Sequence, residues 1–298
     1  MGKRSTAAKT AFGPMVVAAC EQWLPEGQRL CEDELAVRFL PGAARAMVKL
    51  CRWRFVRERL IHASENGSPG VWAGIACRKR YIDEKVENAV AAGVDAVVVL
   101  GAGLDTRACR LAAPMNVRAY EVDLPVNIER KRARMRALWG RAPERVTLVP
   151  VDFENDDAGA ALAANGFRME AATMFVWEAV SQYLTEEGVR KTLTILAKAG
   201  AGSRLVFTYV RKDFLNGVNF YGAEGLHKRF VASGVWRFGL APEAVGDFLG
   251  AYEWREREQA GAQEFAERYV APTGRKLPVF EVERCVYAEI QSVPRGIK

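Results

Sequence analysis

The chain has 298 residues, half of them apolar, a formal net charge of +7 and a mean hydropathy of −0.10. That length and apolar fraction support a substantial buried core and argue against a disordered chain, and no apolar run reaches the length of a membrane span. Six cysteines without CxxC or metal-ligand spacing and only two histidines argue against a disulfide framework and against a metal site.

Lys3 and Arg4 are followed by no apolar h-region, so no secretory signal is read there, and the cysteine usage suits reduced thiols and a cytoplasmic location. Residues 1–12 read as frayed. From Pro14 to about Leu60 the pattern gives two or three helices, broken at Pro25-Glu26-Gly27 and Pro41-Gly42. Within it, 45–60 reads as an amphipathic helix that buries Ala46, Leu50, Trp53, Val56 and Leu60. Residues 1–80 hold fourteen Lys/Arg against seven Asp/Glu. With the apolar stripe docked on a core and no exposed aromatics interleaved with the basic residues, the excess reads as solvated helix faces rather than a surface for nucleic acid or membrane. Asn66–Gly70 is a loop. Tyr81–Ala92 reads as a helix with Ile82, Val86 and Val90 on one face, closed by Gly93.

The chain is organised around residues 95–107, DAVVVLGAGLDTR. Val97–Leu100 reads as a strand buried on both faces. Gly101 and Gly103 allow a tight turn and close approach of a ligand to the backbone. Leu104–Leu111 reads as the start of a helix, with Asp105 and Thr106 as its polar N-terminal residues. Thr106 stands where a dinucleotide fingerprint has its third glycine. Further strands follow at 117–122, 147–151, 174–177 and 203–210, with a basic helix over Pro125–Trp139 and a Thr185-capped helix ending near Gly200. Residues 211–235 read as an excursion rich in Gly, Asn and Tyr. Two late strands, near 253–258 and 280–289, read as a closing antiparallel pair. Strands alternating with helices predict an α/β fold with a mostly parallel, seven-stranded, Rossmann-like sheet, helices on both faces and an N-terminal helical cap. The division expected is a cap over 1–80 and a core over 81–298, with a lid at about 211–240.

Ligands of such sheets bind at the carboxyl ends of the strands. The polar residues placed there are Gly101, Gly103, Asp123, Asp152 and Glu178. Asp123 lies about twenty residues past the glycines, the separation of an acid that accepts two hydrogen bonds from a ribose diol. Asp152 followed by Phe153 suits an adenine, a carboxylate for the amine and a ring for the base; Trp177 is either part of that wall or core.

These stretches resemble the class I S-adenosylmethionine-dependent methyltransferases, and within them the leucine carboxyl methyltransferase-like family. The resemblance is carried by residues 78–84 (RKRYIDE), 97–111 (VVVLGAGLDTRACRL), 120–125 (YEVDLP), 151–156 (VDFEND), 175–189 (FVWEAVSQYLTEEGV), 203–210 (SRLVFTYV) and 236–240 (WRFGL). It implies S-adenosylmethionine as cofactor. Arg78, or Arg80, would pair with its methionine carboxylate. Gly101 and Gly103 would lie under the methionyl and ribose portion, and Asp123, with Glu121 one alternation back, would take the ribose. Asp152 and Phe153 would take the adenine, and Glu178 the amino group and sulfonium. Tyr183 would wall a pocket for a small-molecule acceptor; from the residues themselves, Tyr221 on the glycine-hinged excursion offers an aromatic group to the same pocket. Transfer to a carboxylate needs no general base, whereas a hydroxyl does, and His227 in the excursion is the candidate. The alternatives are an NAD(P)-dependent oxidoreductase, which Thr106 and the long N-terminal cap disfavour, a nucleic-acid methyltransferase, and a non-catalytic cofactor-binding protein. After the fourth strand the sequence is Trp177-Glu178-Ala179-Val180, without the Asn/Asp-Pro-Pro-aromatic run of amino-methylating nucleic-acid enzymes.

Overall fold

A computed structural model describes residues 12–291. The expectation of a frayed start therefore falls, except for Phe12, outside the described residues. Phe12 itself opens helix α1 (Phe12–Glu21), followed by the short α2 (Ala36–Phe39), α3 (Gly42–Leu50), α4 (Arg54–Gly67) and α5 (Val71–Ala91). The α/β part runs β1 (Ala96–Leu100), β2 (Arg118–Asp123), α6 (Pro125–Trp139), β3 (Val146–Pro150), α7 (Ala158–Ala164), β4 (Thr173–Trp177), α8 (Glu186–Leu196), β5 (Arg204–Arg211), β6 (Gly239–Leu240), β7 (Trp254–Ala260) and β8 (Glu283–Ile290).

The strand order is β3-β2-β1-β4-β5-β8-β7, with β1 to β5 parallel and β8 antiparallel to both β5 and β7. Seven strands form this path, as expected; the two-residue β6 beside β5 is an eighth. The alternation of each strand explains the layers. Val97 and Val99 of β1 and Met174 and Val176 of β4 face one core, shared with α1, α5 and α6. Val98, Leu100, Phe175 and Trp177 face the other, under α7 and α8. Trp177 is thus core. The chain leaves β1 towards β3 and returns at β4, so the order reverses between β1 and β4, where a crevice opens at the strand ends. Thr185 caps α8 as expected, its hydroxyl accepting from Gly188 N at 3.1 Å.

Three local expectations are corrected. Residues 45–60 are not one helix: the chain breaks at Cys51–Trp53, where Arg57 Nη1 donates to the Cys51 carbonyl at 3.0 Å. The break resets the phase of the apolar face. Val48, Cys51 and Arg57 are buried, whereas Leu50 and Trp53 are 56% and 58% exposed. The helix expected from Tyr81 begins ten residues earlier at Val71, after Gly70 at φ +78°, so residue 80 lies inside α5 and the helix joins cap to sheet. Finally, the glycine turn does not open a regular helix. Ala108–Ala112 is a π-helical turn and Ala113–Met115 a 3₁₀ turn, with Asp105 Oδ1 accepting from Arg107 N at 2.7 Å. All six cysteines are free thiols. No helix among the described residues is long and apolar enough to cross a membrane.

Candidate functional site

A cavity of about 870 Å³ lies over the strand ends. Its floor is Gly101–Asp105 after β1, Asp123 at the end of β2, Asp152, Phe153 and Glu154 after β3, and Glu178 and Ala179 after β4. Val71, Gly74, Ile75 and Arg78 form one stripe of α5 along its side. Phe230, Val235 and Trp236 come from the excursion after β5.

Backbone conformation shapes the floor. Gly101 sits at φ +70°, and a Cβ there would fall 2.2 Å from Val180 Cγ2. The glycine therefore permits the turn and lets the 178–180 segment close on it. Ala179 also has positive φ, +55°, with its N–H donated to Thr208 Oγ1 at 2.8 Å. Thr208 Oγ1 in turn donates to Glu283 at 2.5 Å.

Below the floor lies a buried charge network. Arg78 donates to Glu178 at 2.8 Å and to Glu283. Arg107, fully buried, meets Asp83 at 2.5 Å, Glu178 at 2.6 Å and Asp105. Arg110 meets Asp83 at 2.6 Å, and Thr106 Oγ1 donates to Asp33 at 2.8 Å. Burial pushes the Glu178 carboxyl up, but Arg107 and Arg78 outweigh it and hold the group well below the usual carboxylate range. Asp105 is lowered in the same way, Arg107 opposing its burial. Both carboxylates are therefore ionised at neutral pH, and Glu178 faces the cavity as an anion.

Asp123 accepts from three donors: Gly103 N at 2.5 Å, Leu124 N at 2.6 Å and Asn127 Nδ2 at 2.8 Å. Burial raises its carboxyl, against the opposing pull of these donors. A carboxylate has about four acceptor positions, so Asp123 retains room for a further donor from the cavity. Asp152 organises the turn after β3, accepting from Glu154 N and Asn155 Nδ2 at 3.2 and 2.9 Å. The Tyr183 carbonyl accepts from Arg237 Nη2 at 2.7 Å, and that guanidinium also meets Glu154 at 2.7 Å, tying the excursion to the rim.

Of the residues singled out in the sequence, Arg78, Gly101, Gly103, Asp123, Asp152, Phe153, Glu178 and Tyr183 come together here. Four do not. Arg80 points away to Glu84, stacked over Tyr269, because it is two positions, about 200° of helix, from Arg78. Glu121 is buried beneath α6, where Lys131 Nζ lies 2.7 Å from it; burial pushes its carboxyl up to about 7. Tyr221 donates its hydroxyl to Asp213, outside the cavity lining. His227 is also off the cavity, its ring edge-on to Phe214 and Phe220 at 5.4 and 5.0 Å and its buried Nε2 without a partner among the described residues. This placement removes it as a base for a substrate in the cavity. His227→Leu is expected to leave cofactor affinity and turnover unchanged, as cofactor titration and a turnover assay would show; a loss of turnover would return it to the site.

Sequence reading missed Arg107, Asp33, Asp83, Asp105 and Glu283 as parts of the site. Asp105 and Arg107 lie in the quoted 97–111 stretch, but nothing local distinguishes a buried guanidinium from a surface one. Thr106, read as a polar helix start and as a missing glycine, also holds Asp33 of the N-terminal segment. Among the described residues no group of His, Cys, Asp and Glu clusters to hold a metal ion.

The sequence profile of the leucine carboxyl methyltransferase family matches residues 11–197. A relative from Streptomyces coelicolor, provisionally named an S-adenosyl-L-methionine-dependent methyltransferase, is 34% identical over 206 residues, 66% of each chain. The chain thus spans just under two thirds of that relative's length. A Frankia alni relative with the same provisional name is 34% identical over 249 residues, 83% of this chain and 82% of its own. A crystal structure from Thermobifida fusca, provisionally a methyltransferase, shares the fold with a TM-score of 0.58 at 15% identity, covering 90% of this chain and 98% of its own. One from Streptomyces avermitilis does so with a TM-score of 0.54 at 13% identity, covering 92% and 96%.

Proposed function

The chain belongs to the leucine carboxyl methyltransferase family, and from that premise we propose that it is an S-adenosylmethionine-dependent enzyme that methylates an oxygen of a small molecule. The observation that carries this reading is the cavity itself. It combines a polar strand-end floor with an apolar side built from α5 and the excursion. At about 870 Å³ it lies near the top of the size range of ligand pockets, roughly 300–1,000 Å³.

The floor fits the cofactor. Arg78 commits two N–H groups to Glu178 and Glu283, leaving three of a guanidinium's five for a carboxylate. Glu178 suits an ammonium or sulfonium, Asp123 a ribose hydroxyl, and Asp152 with Phe153 an adenine. When bound, the cofactor supplies a methyl group already activated on a sulfonium. The protein's own task is to align the acceptor and exclude water.

The acceptor belongs under the excursion. Phe230 and Trp236 stack there, ring centroids 5.0 Å apart at 15°. Two buried polar atoms of cavity-lining residues, Trp236 Nε1 and Gln182 Oε1, have no partner among the described residues. One donor and one acceptor in an aromatic wall suit a flat molecule carrying both. No histidine lines the cavity, which favours a carboxylate acceptor, since that needs no general base.

The test uses methyl-labelled S-adenosylmethionine and a panel of aromatic acids and phenols. A labelled methyl ester, released by mild base, is expected; a base-stable ether would assign transfer to a hydroxyl instead, and no labelled product from any member would count against a small-molecule acceptor. Trp236→Phe should raise the KM for the acceptor about tenfold and leave cofactor affinity unchanged. Equal KM values would remove Trp236 from the acceptor wall.

A further inference from the structure

The N-terminal cap carries a surface that the cavity does not use. Eight large apolar side chains are exposed among the described residues, and five of them lie on the cap: Trp23, Met47, Leu50, Trp53 and Phe55. Trp23 Nε1 donates to the Val48 carbonyl at 3.0 Å, which seats the ring beside α3. Trp53 N donates to the Leu50 carbonyl at 3.1 Å in the turn that joins α3 to α4. The five therefore follow one short path along the surface, with Phe55 the most exposed at 66%.

Cations surround them. Lys49, Arg52, Arg54 and Arg59 are exposed on the same segment, against Glu58 alone among its exposed acids. The positive surface continues onto α6. Arg134 of α6 has its guanidinium lowered first by burial and then by the charge of Arg45 on α3, so the two helices bring like charges together. Phe39 and Trp139, with ring centroids 5.8 Å apart, pack the end of α6 against α2. Arg130 and Arg136 are exposed on α6.

Apolar side chains including tryptophan, set among Lys and Arg, are the composition of a segment that lies in an anionic bilayer surface. Other occupants fit less well. A symmetric dimer joins the same patch to itself, which would press these arginines against their copies. Single-stranded nucleic acid binds by stacking bases on ring faces. Here Arg52 lies over the Trp53 ring at 5.3 Å and Arg59 over Phe55 at 4.9 Å, while Leu50 and Met47 offer no ring at all. We propose that the face formed by α3, the α3–α4 turn and the start of α4, with the positive charge of α6 beside it, docks the protein on an anionic phospholipid surface. The aromatic and aliphatic tips enter the acyl boundary, and the arginines meet lipid phosphates.

The test is co-sedimentation of the full chain with vesicles of phosphatidylcholine alone and of phosphatidylcholine with phosphatidylglycerol. The bound fraction should be roughly tenfold higher on the anionic vesicles and should fall as salt rises. Leu50→Glu with Trp53→Glu should abolish that binding and leave S-adenosylhomocysteine affinity and the circular dichroism spectrum unchanged. Both residues are exposed, and Phe55→Glu is an independent second variant at the same face. The proposal is overturned by absence of binding to the anionic vesicles, by equal binding to both kinds, or by binding that survives these substitutions. A lipid-free dimer that Leu50→Glu with Trp53→Glu dissociates would give the face to a second copy of the chain. Tighter binding to a single-stranded oligonucleotide than to the vesicles would give it to nucleic acid.

Discussion

Replacing Arg107 with methionine should lower the stability of the protein by about 3–5 kcal/mol, the range for breaking a buried ion pair. Against a typical total of roughly 5–15 kcal/mol, that loss puts the folded state itself at risk. Arg107 is fully buried and meets Asp83, Asp105 and Glu178. Asp83 would keep Arg110 and Glu178 would keep Arg78, but Asp105 would keep no guanidinium. Arg107→Lys should rescue little, because an ammonium cannot reach three carboxylates as a planar fork does. Urea unfolding measures the effect. Its pH dependence has a definite sign. Glu178 and Asp105 are held below their ordinary values of 4.5 and 3.8 in the folded protein. Their contribution is thus complete above those values and is lost as pH falls through the folded ones. In Arg107→Met the carboxylates lose that stabilisation and gain from protonation. The gap between wild type and variant should therefore narrow from pH 7 to about pH 4. A gap that stays constant over that interval would mean the network does not carry the stability assigned to it.

Asp123→Ala should weaken S-adenosylmethionine binding by about 1–3 kcal/mol, roughly 5–150-fold. The carboxylate both holds Gly103 N at 2.5 Å and offers its remaining acceptor capacity to the cavity. Its removal affects the ligand contact and the glycine turn together. Glu121→Ala provides the contrast. Glu121 pairs with buried Lys131 at 2.7 Å, so its loss leaves an uncompensated ammonium beneath α6. That variant should lose stability while retaining cofactor affinity in its folded fraction. Isothermal titration beside thermal unfolding separates the two outcomes. Equal affinity of wild type and Asp123→Ala would contradict the ribose assignment.

The sheet was legible because each strand is a run of apolar residues between turns, as Val97–Leu100 is, and position at a strand end then marked Gly101, Asp123, Asp152 and Glu178. The charge network was not legible. Arg107 reaches Asp83 and Glu178 across 24 and 71 positions, and Thr106 reaches Asp33 across 73. Only the folded chain brings these together. The cap misled for a local reason: a helical stripe through Leu50 and Trp53 assumes one unbroken helix, whereas α3 buries Val48 and leaves Leu50 exposed, and Trp53 lies in the turn that ends it. His227 is a candidate by its chemistry and its place in the excursion, but its packing between Phe214 and Phe220 sets it off the cavity.

On the proposed function, the strand-end cavity holds S-adenosylmethionine through Arg78, Asp123 and Glu178. The most direct test of that reading is calorimetric titration of S-adenosylhomocysteine into the full chain with a chelator present, repeated with reduced nicotinamide dinucleotide. The account predicts one-site binding of the homocysteine compound, weakened in Asp123→Ala, and no heat from the nicotinamide. Binding of the nicotinamide alone, or loss of homocysteine binding when metal is removed, would contradict it.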